Sequence, residues 1–277
     1  MSSGVPQKST TWIDHNVKPM DCGFRYDALS QEKSFRLLKL LPSSDTSSPI
    51  ICTMSEQRID DSIKKYTALS YTWGNIQDKK EIILNGRPAL VTQNLHMALQ
   101  QIRHMPGMLG AILQPLSLWI DALCINQQDK NEKAVQIGYM HQIFANAQWV
   151  VAWLGPEGDE SGAIMDVINQ GNSIDVGSIP APALLSFLSR SWWTRAWVLQ
   201  ECMAASAASF MWLVCGSSST AFIHQGIPLF DIIKLSSKLE ATDSRDKIFA
   251  LLGLVDGQTK SQIRPDYTLS PCEIFCK

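Results

Sequence analysis

Leu116-Ser-Leu-Trp-Ile-Asp121, a helical pattern opening at Asp129, and then Trp149-Val-Val-Ala-Trp-Leu154 decide the fold class. The two outer runs are almost continuously apolar, the pattern of strands covered on both faces. One ends in a carboxylate and the other in Gly155-Pro156. Between them Ala134, Ile137, Met140, Ile143 and Phe144 recur at helical spacing behind Asp129, a residue suited to accept the first free backbone N–H groups. Two buried strands joined through a helix make a parallel unit, because parallel neighbours need a crossover connection. The expectation is an α/β fold with a mainly parallel sheet flanked by helices.

The flanking sequence extends that unit. Tyr66-Thr-Ala-Leu-Ser-Tyr-Thr-Trp73 alternates with β-favouring residues and stops at Gly74-Asn75, and Phe210 to Cys215 is a further apolar strand. Thr92 or Asn94 can cap a helix through about Arg103, with Leu95, Ala98, Leu99 and Ile102 on one face. Further helical patterns cover 163–170, 195–205 and 243–254, and Ala183 to Leu188 leads into Trp192-Trp193. Nearer the start, Phe35 to Leu41 and Ile50 to Met54 read as strands. Glu81–Leu84 and Ala89–Thr92 form an antiparallel hairpin about Asn85-Gly86, a pair that tolerates the positive φ of a tight turn. Residues 1–30 lack periodicity and read as a loose arm docked by Trp12 or Tyr26.

Length and composition bound the function classes. A chain of 277 residues gives roughly 1.8 domains at about 150 residues each. With no repeat and no clear linker, one decorated domain is expected. Hydrophobic residues at 45% exclude a disordered chain, and 24 basic against 26 acidic residues leave no excess to attract nucleic acid or an anionic membrane. The seven Cys form no CxxC pair and the first residues lack an apolar signal core, so reduced thiols and a cytoplasmic location are expected. The longest charge-free stretch, Cys202 to Phe222, is too broken by Ser and Gly216 for a membrane span.

The familiar fingerprints of phosphate-loop, dinucleotide-fold, zinc-protease and hydrolase-elbow chemistry are absent, and the five His share no ligand spacing, so no metal is expected. What remains is polar punctuation after apolar strands, where open parallel sheets hold their ligands. Three places stand out: Ser70 to Gly74; Asp121 with Asn126 and Gln127; and the helix carrying Arg195, Gln200 and Glu201. Asp121, Asn126 and Gln127 read equally as loop caps. Cys124 is a candidate nucleophile, but no His lies near it to lower its pKa, and a small buried hydrophobe is the simpler reading. Glu201 follows Trp192-Trp-Thr-Arg-Ala-Trp-Val-Leu-Gln. A carboxylate against indole rings is desolvated and shifted toward acid–base use. The alternative is an ion pair with Arg195 or Arg190 that holds a buried helix end.

Together these segments resemble the heterokaryon incompatibility (HET) domain of filamentous fungi. The resemblance rests on Tyr66–Gly74, Val91–Leu95, Leu118–Gln127, Asn131-Glu132, Trp153–Gly155 and Trp192–Glu201. Arg245–Gly253 and Pro265–Tyr267 resemble the family's downstream extension. The resemblance implies a HET domain over 31–215, a helical extension over 216–277 packed on it, and a role in allorecognition and programmed cell death. Its partners would be further copies or a sensor protein. HET domains are in turn similar to TIR domains, and Ser70-Tyr71, Ile120-Asp121 and Trp197-Val-Leu-Gln-Glu201 follow the TIR order. That likeness implies a TIR-like or flavodoxin-like core, Glu201 as the catalytic carboxylate, and NAD as substrate with no resident cofactor. Ser70, Tyr71, Trp73, Gly74 and Asp121 would bind the substrate. So would Cys124, Asn126, Gln127, Arg195 and Trp197, with Trp73 or Trp197 stacking on a base and Arg195 meeting a phosphate. Two alternatives stand beside it: a non-enzymatic, self-associating death-signalling module, and a small-molecule tailoring enzyme on the same fold.

Overall fold

The computed structural model describes residues 23–104, 115–158, 160–162, 164–165, 180–204, 209–215, 221–223, 243, 245–249, 265–270 and 273. Most of the expected arm, most of the helix read over 163–170 and the end of the 243–254 helix lie outside these residues.

The strands are β1 (Ser34–Leu40), β2 (Ile51–Arg58), β3 (Thr67–Tyr71), β4 (Lys79–Leu84), β5 (Arg87–Thr92), β6 (Leu116–Trp119), β7 (Trp149–Pro156), β8 (Ser209–Cys215) and β9 (Ala221–Ile223). They build one sheet in the order β5-β4-β2-β1-β6-β3-β7-β8-β9. The helices are α1 (Gln93–Arg103), α2 (Asp121–Cys124), α3 (Lys130–Asn146), α4 (Ala181–Leu188), α5 (Trp197–Ala204) and α6 (Asp246–Phe249).

The unit read from residues 116–154 is present, with β6, β3, β7 and β8 neighbours and mutually parallel. The sheet as a whole is mixed, however, and not mainly parallel. β1 runs antiparallel to both β2 and β6, and the β4–β5 and β8–β9 pairs are antiparallel too. The cause is β1, whose residues are buried at all but one position. A strand so covered belongs inside a sheet, and it lies between β2 and β6 with seven residue pairs to β2, Ser34↔Arg58 through Leu40↔Cys52. The early strands therefore make nearly half of the sheet and are not an edge hairpin alone.

Local chemistry sets the helix starts. Thr92, not Asn94, caps α1 by accepting from Leu95 N–H, and Leu95, Ala98, Leu99 and Ile102 are buried. Asn94 instead donates to Thr72 O and accepts from Trp153 Nε1, tying α1 to the ends of β3 and β7. Asp129 caps α3 by accepting from the N–H groups of Asn131 and Glu132. The core gathers Trp119, Trp153, Trp192 and Trp193, all fully buried. Tyr26 docks the end of the arm, its hydroxyl donating to Leu123 O at 2.9 Å.

Candidate functional site

Ser70 and Tyr71 close β3, and Asp121 opens α2 just after the neighbouring parallel strand β6, so all three stand where open sheets place ligands. Ser70 is the hub of a buried polar cluster. Its hydroxyl donates to Glu201 Oε2 and accepts from Trp192 Nε1 at 2.8 Å. Arg195 forks onto the same carboxylate, with Nη2 3.1 Å from Oε1 and Nη1 3.3 Å from Oε2. Glu201 is 2% exposed, so both of its oxygens are met by the chain's own donors. Arg190 binds the carbonyls of Leu154, Pro156 and Gly158, holding the end of β7 and the residues just after it.

Asp121 continues the cluster toward the surface. Its Oδ2 accepts from Trp73 Nε1 at 2.9 Å and its Oδ1 from Ala122 N–H at 2.7 Å. Burial pushes its carboxyl up to about 6, with the Glu201 charge adding, while the Arg195 charge and the Trp73 hydrogen bond oppose the rise. The Tyr71 hydroxyl lies well above its ordinary value because of burial, with Asp121 adding. Arg195 is thus shared electrostatically between two carboxylates.

A pH dependence follows, with a sign. The folded chain keeps the Asp121 proton to a higher pH than an unfolded aspartate does, so between about 4 and 6 the native state binds more protons. The stability contributed by this residue is present at the acid end and is lost as pH rises through that window. Urea midpoints for wild type and Asp121→Asn, measured from pH 4 to 7, should converge toward acid and separate in favour of the variant toward neutrality. Parallel curves would exclude the shifted carboxyl.

Beside the cluster a cleft of about 790 Å³ opens between residues 24–26, the end of β3, β5 and the loop 122–128. Tyr71, Trp73, Asn126 and Gln127 stand in its wall, whereas Glu201 and Arg195 do not. The residues expected to share one site therefore fall into two groups, joined by the Trp73–Asp121 hydrogen bond. Gly74 turns the chain away after Trp73 at φ +74°, and a Cβ there would stand 3.1 Å from Asn94 Cβ. Cys124 is fully buried and accepts from Ile120 N–H at 3.4 Å. Burial pushes its thiol up to about 12, which suits the small-hydrophobe reading and not a nucleophile. Trp197 lies beside Asp246 of the downstream segment, which accepts from Tyr267 OH at 2.5 Å. No cluster of His, Cys, Asp and Glu suited to a metal occurs among the described residues, and none of the described helices is long and apolar enough to cross a membrane.

Arg36 escaped the sequence reading. It is 5% exposed in β1 and forks onto Glu132 at 2.5 and 2.9 Å. The signal available was an Arg flanked by Phe35 and Leu37 in a strand whose only other charge is Lys39; Glu132 by itself is adequately explained by its place in the first turn of α3.

Comparison with known proteins points one way. The family model described as "Heterokaryon incompatibility protein (HET)" matches residues 66–201, a span that begins one residue before β3 and ends on Glu201. The chain is 27% identical to "Heterokaryon incompatibility protein 6, OR allele" of Neurospora crassa, over 89% of this chain and 51% of that protein. It thus spans about half the length of that relative. No solved structure matches the chain.

Proposed function

Residues 66–201 form a heterokaryon incompatibility (HET) domain, and on that premise we propose that the protein acts in fungal allorecognition and programmed cell death as a non-enzymatic signalling module. It would associate with further copies or with a sensor protein in the cytoplasm. One observation carries the non-enzymatic reading: the carboxylate expected to be catalytic is 2% exposed and fully engaged by Ser70 and Arg195. In that role Glu201 braces α5 against the end of β3, and the Trp-rich segment is core.

A second reading, NAD cleavage through Glu201 on a TIR-like core, draws support from topology. The parallel strands β6-β3-β7-β8 stand in the order second, first, third, fourth along the chain, the order of flavodoxin-like sheets. Ser70, Tyr71 and Asp121 lie at the carboxyl ends of two of them, with Glu201 on Ser70. For catalysis the Arg195 fork would release the carboxylate. Glu201 would then accept from the ribose hydroxyls and stabilise the oxocarbenium ion as the N-glycosidic electron pair leaves with nicotinamide. Water would add to the anomeric carbon and give up a proton.

Inducible expression in a yeast host separates the readings when viability, cellular NAD and free nicotinamide are followed together. The module reading expects loss of viability at an unchanged NAD pool. A fall in NAD with release of nicotinamide before death would replace it with the enzymatic reading, and unimpaired growth at full expression would overturn both.

A further inference from the structure

The loop between β1 and β2, Ser43-Ser-Asp-Thr-Ser-Ser-Pro49, folds over two basic side chains that neither reading uses. Arg103, in the last turn of α1, gives its Nη atoms to three carbonyls of that loop: Pro49 O at 2.9 Å, Ser48 O at 3.1 Å and Asp45 O at 3.5 Å. Its Nε is buried without a hydrogen-bond partner, and so is Nε2 of His104, the cap residue that follows. Buried polar nitrogens left without partners cost free energy, so this pair marks a place short of acceptor oxygens. Asp45 is near enough to act on both charges, but its Oδ1 already accepts from the N–H and the hydroxyl of Ser47 at 2.8 and 2.7 Å.

Ser48 is placed to supply those oxygens once it carries a phosphate. Its carbonyl is already held by Arg103, its hydroxyl donates to Asp45 O at 2.8 Å and lies 2.7 Å from Ser43 Oγ, and Pro49 follows it. Both hydroxyl contacts stay within the loop, so turning the side chain outward disturbs no core packing. Ser47 is the poorer acceptor, because its hydroxyl points at the Asp45 carboxylate, a like charge for a phosphate. We propose that Ser48 is phosphorylated by a protein kinase that reads Ser-Pro, and that the phosphate closes on Arg103 and His104. In the transfer the Ser48 Oγ–phosphorus bond forms as the γ-phosphorus of ATP parts from its bridging oxygen. ADP leaves with that electron pair, and the hydroxyl proton passes to a base of the kinase. The new oxygens would give Arg103 charge-assisted partners and draw the loop onto the end of α1. This end is remote from Glu201: β1 ends at Leu40 beside Leu116, the start of β6, whereas Ser70 and Asp121 stand at the carboxyl ends of β3 and β6. Helix α1 joins the two ends, with Asn94 of its first turn on Thr72 O and Trp153 Nε1 and Arg103 in its last turn. The modification therefore stands whether the Glu201 cluster is a brace or a catalyst.

Incubating the purified full chain with ATP and a proline-directed protein kinase tests the first step, with sites mapped by tandem mass spectrometry. A phosphoryl group should enter at Ser48 and should be missing there in Ser48→Ala. Phosphorus nuclear magnetic resonance reads the second step. The second pKa of the phosphate, about 6 in free phosphoserine, should fall by about one pH unit beside the guanidinium. In phosphorylated Arg103→Gln, checked for folding by circular dichroism, it should return toward about 6. Phosphorylation should also raise the thermal midpoint of wild type by about 2–4 °C and that of Arg103→Gln by less. Comparing each protein with its own unphosphorylated form removes the cost of losing the three carbonyl bonds. No incorporation at Ser48, or incorporation at Ser47 in its place, overturns the assignment. An unshifted phosphate titration in the folded, phosphorylated wild type would show the phosphate free in solvent and overturn its capture by Arg103.

Discussion

Glu201→Ala is expected to lower stability by about 3–5 kcal/mol, the usual loss when one partner of a buried ion pair is removed. The substitution strips the counter-charge from Arg195, whose side chain is only 15% exposed, and leaves the Ser70 hydroxyl without its acceptor. Asp121 shares the Arg195 charge and remains behind, so the lower end of the range is the better expectation. At about 2–4 °C per kcal/mol for a domain of this size, the thermal midpoint should fall by roughly 6–20 °C. The paired variant Arg195→Met with Glu201→Leu removes both charges and should recover most of the loss, since apolar replacements of similar volume are often neutral. A drop in Tm of less than about 2 °C for Glu201→Ala would show that the cluster does not brace the fold, because it would correspond to less than about 1 kcal/mol. The point bears on any cellular assay: a Glu201 variant that fails to kill has to be shown folded before its silence is read as lost chemistry.

The elements readable in the sequence were those whose pattern is local. The apolar stripe of α1, the cap at Asp129 and the covered strands β3, β6 and β7 each follow from residues within a few positions of one another. The partners of β1 do not. Its register with β2 spans a loop, and its register with β6 joins Leu38 to Leu118. Nothing in the period-two pattern of a buried strand states which neighbour covers it or in which direction that neighbour runs. The mixed character of the sheet hangs on that one placement.

The site shows the same division. Ser70, Asp121 and Glu201 were visible as polar groups at the ends of apolar runs, and Arg195 was visible as a partner because it lies six residues before Glu201. That Ser70 joins Trp192 to Glu201 was not visible, because the contacts span 122 and 131 positions. Trp197 illustrates the limit of helical spacing. Four residues apart, it and Glu201 fall on neighbouring parts of one helix surface, yet Trp197 lies near Asp246 of the downstream segment while Glu201 accepts from Ser70. Spacing places side chains on a surface; the tertiary neighbours decide what each one touches.

The second large effect is expected at Arg36, where Arg36→Ala should also cost about 3–5 kcal/mol. The guanidinium joins four segments: it forks onto Glu132 of α3, donates to Cys124 O at 3.1 Å at the end of α2, donates to Asp27 O at 2.7 Å in the N-terminal segment, and itself belongs to β1. Truncation leaves Glu132, 11% exposed, with the Asn126 N–H at 2.7 Å, and strands two carbonyls. Arg36→Lys should recover only part of the loss, because an ammonium cannot reproduce the planar fork. Urea denaturation of the three proteins would check this order, and equal midpoints for wild type and Arg36→Ala would exclude a structural pair. The same pair also holds the cleft wall: Tyr26 lies under the Arg36 guanidinium and the Asn126 N–H donates to Glu132.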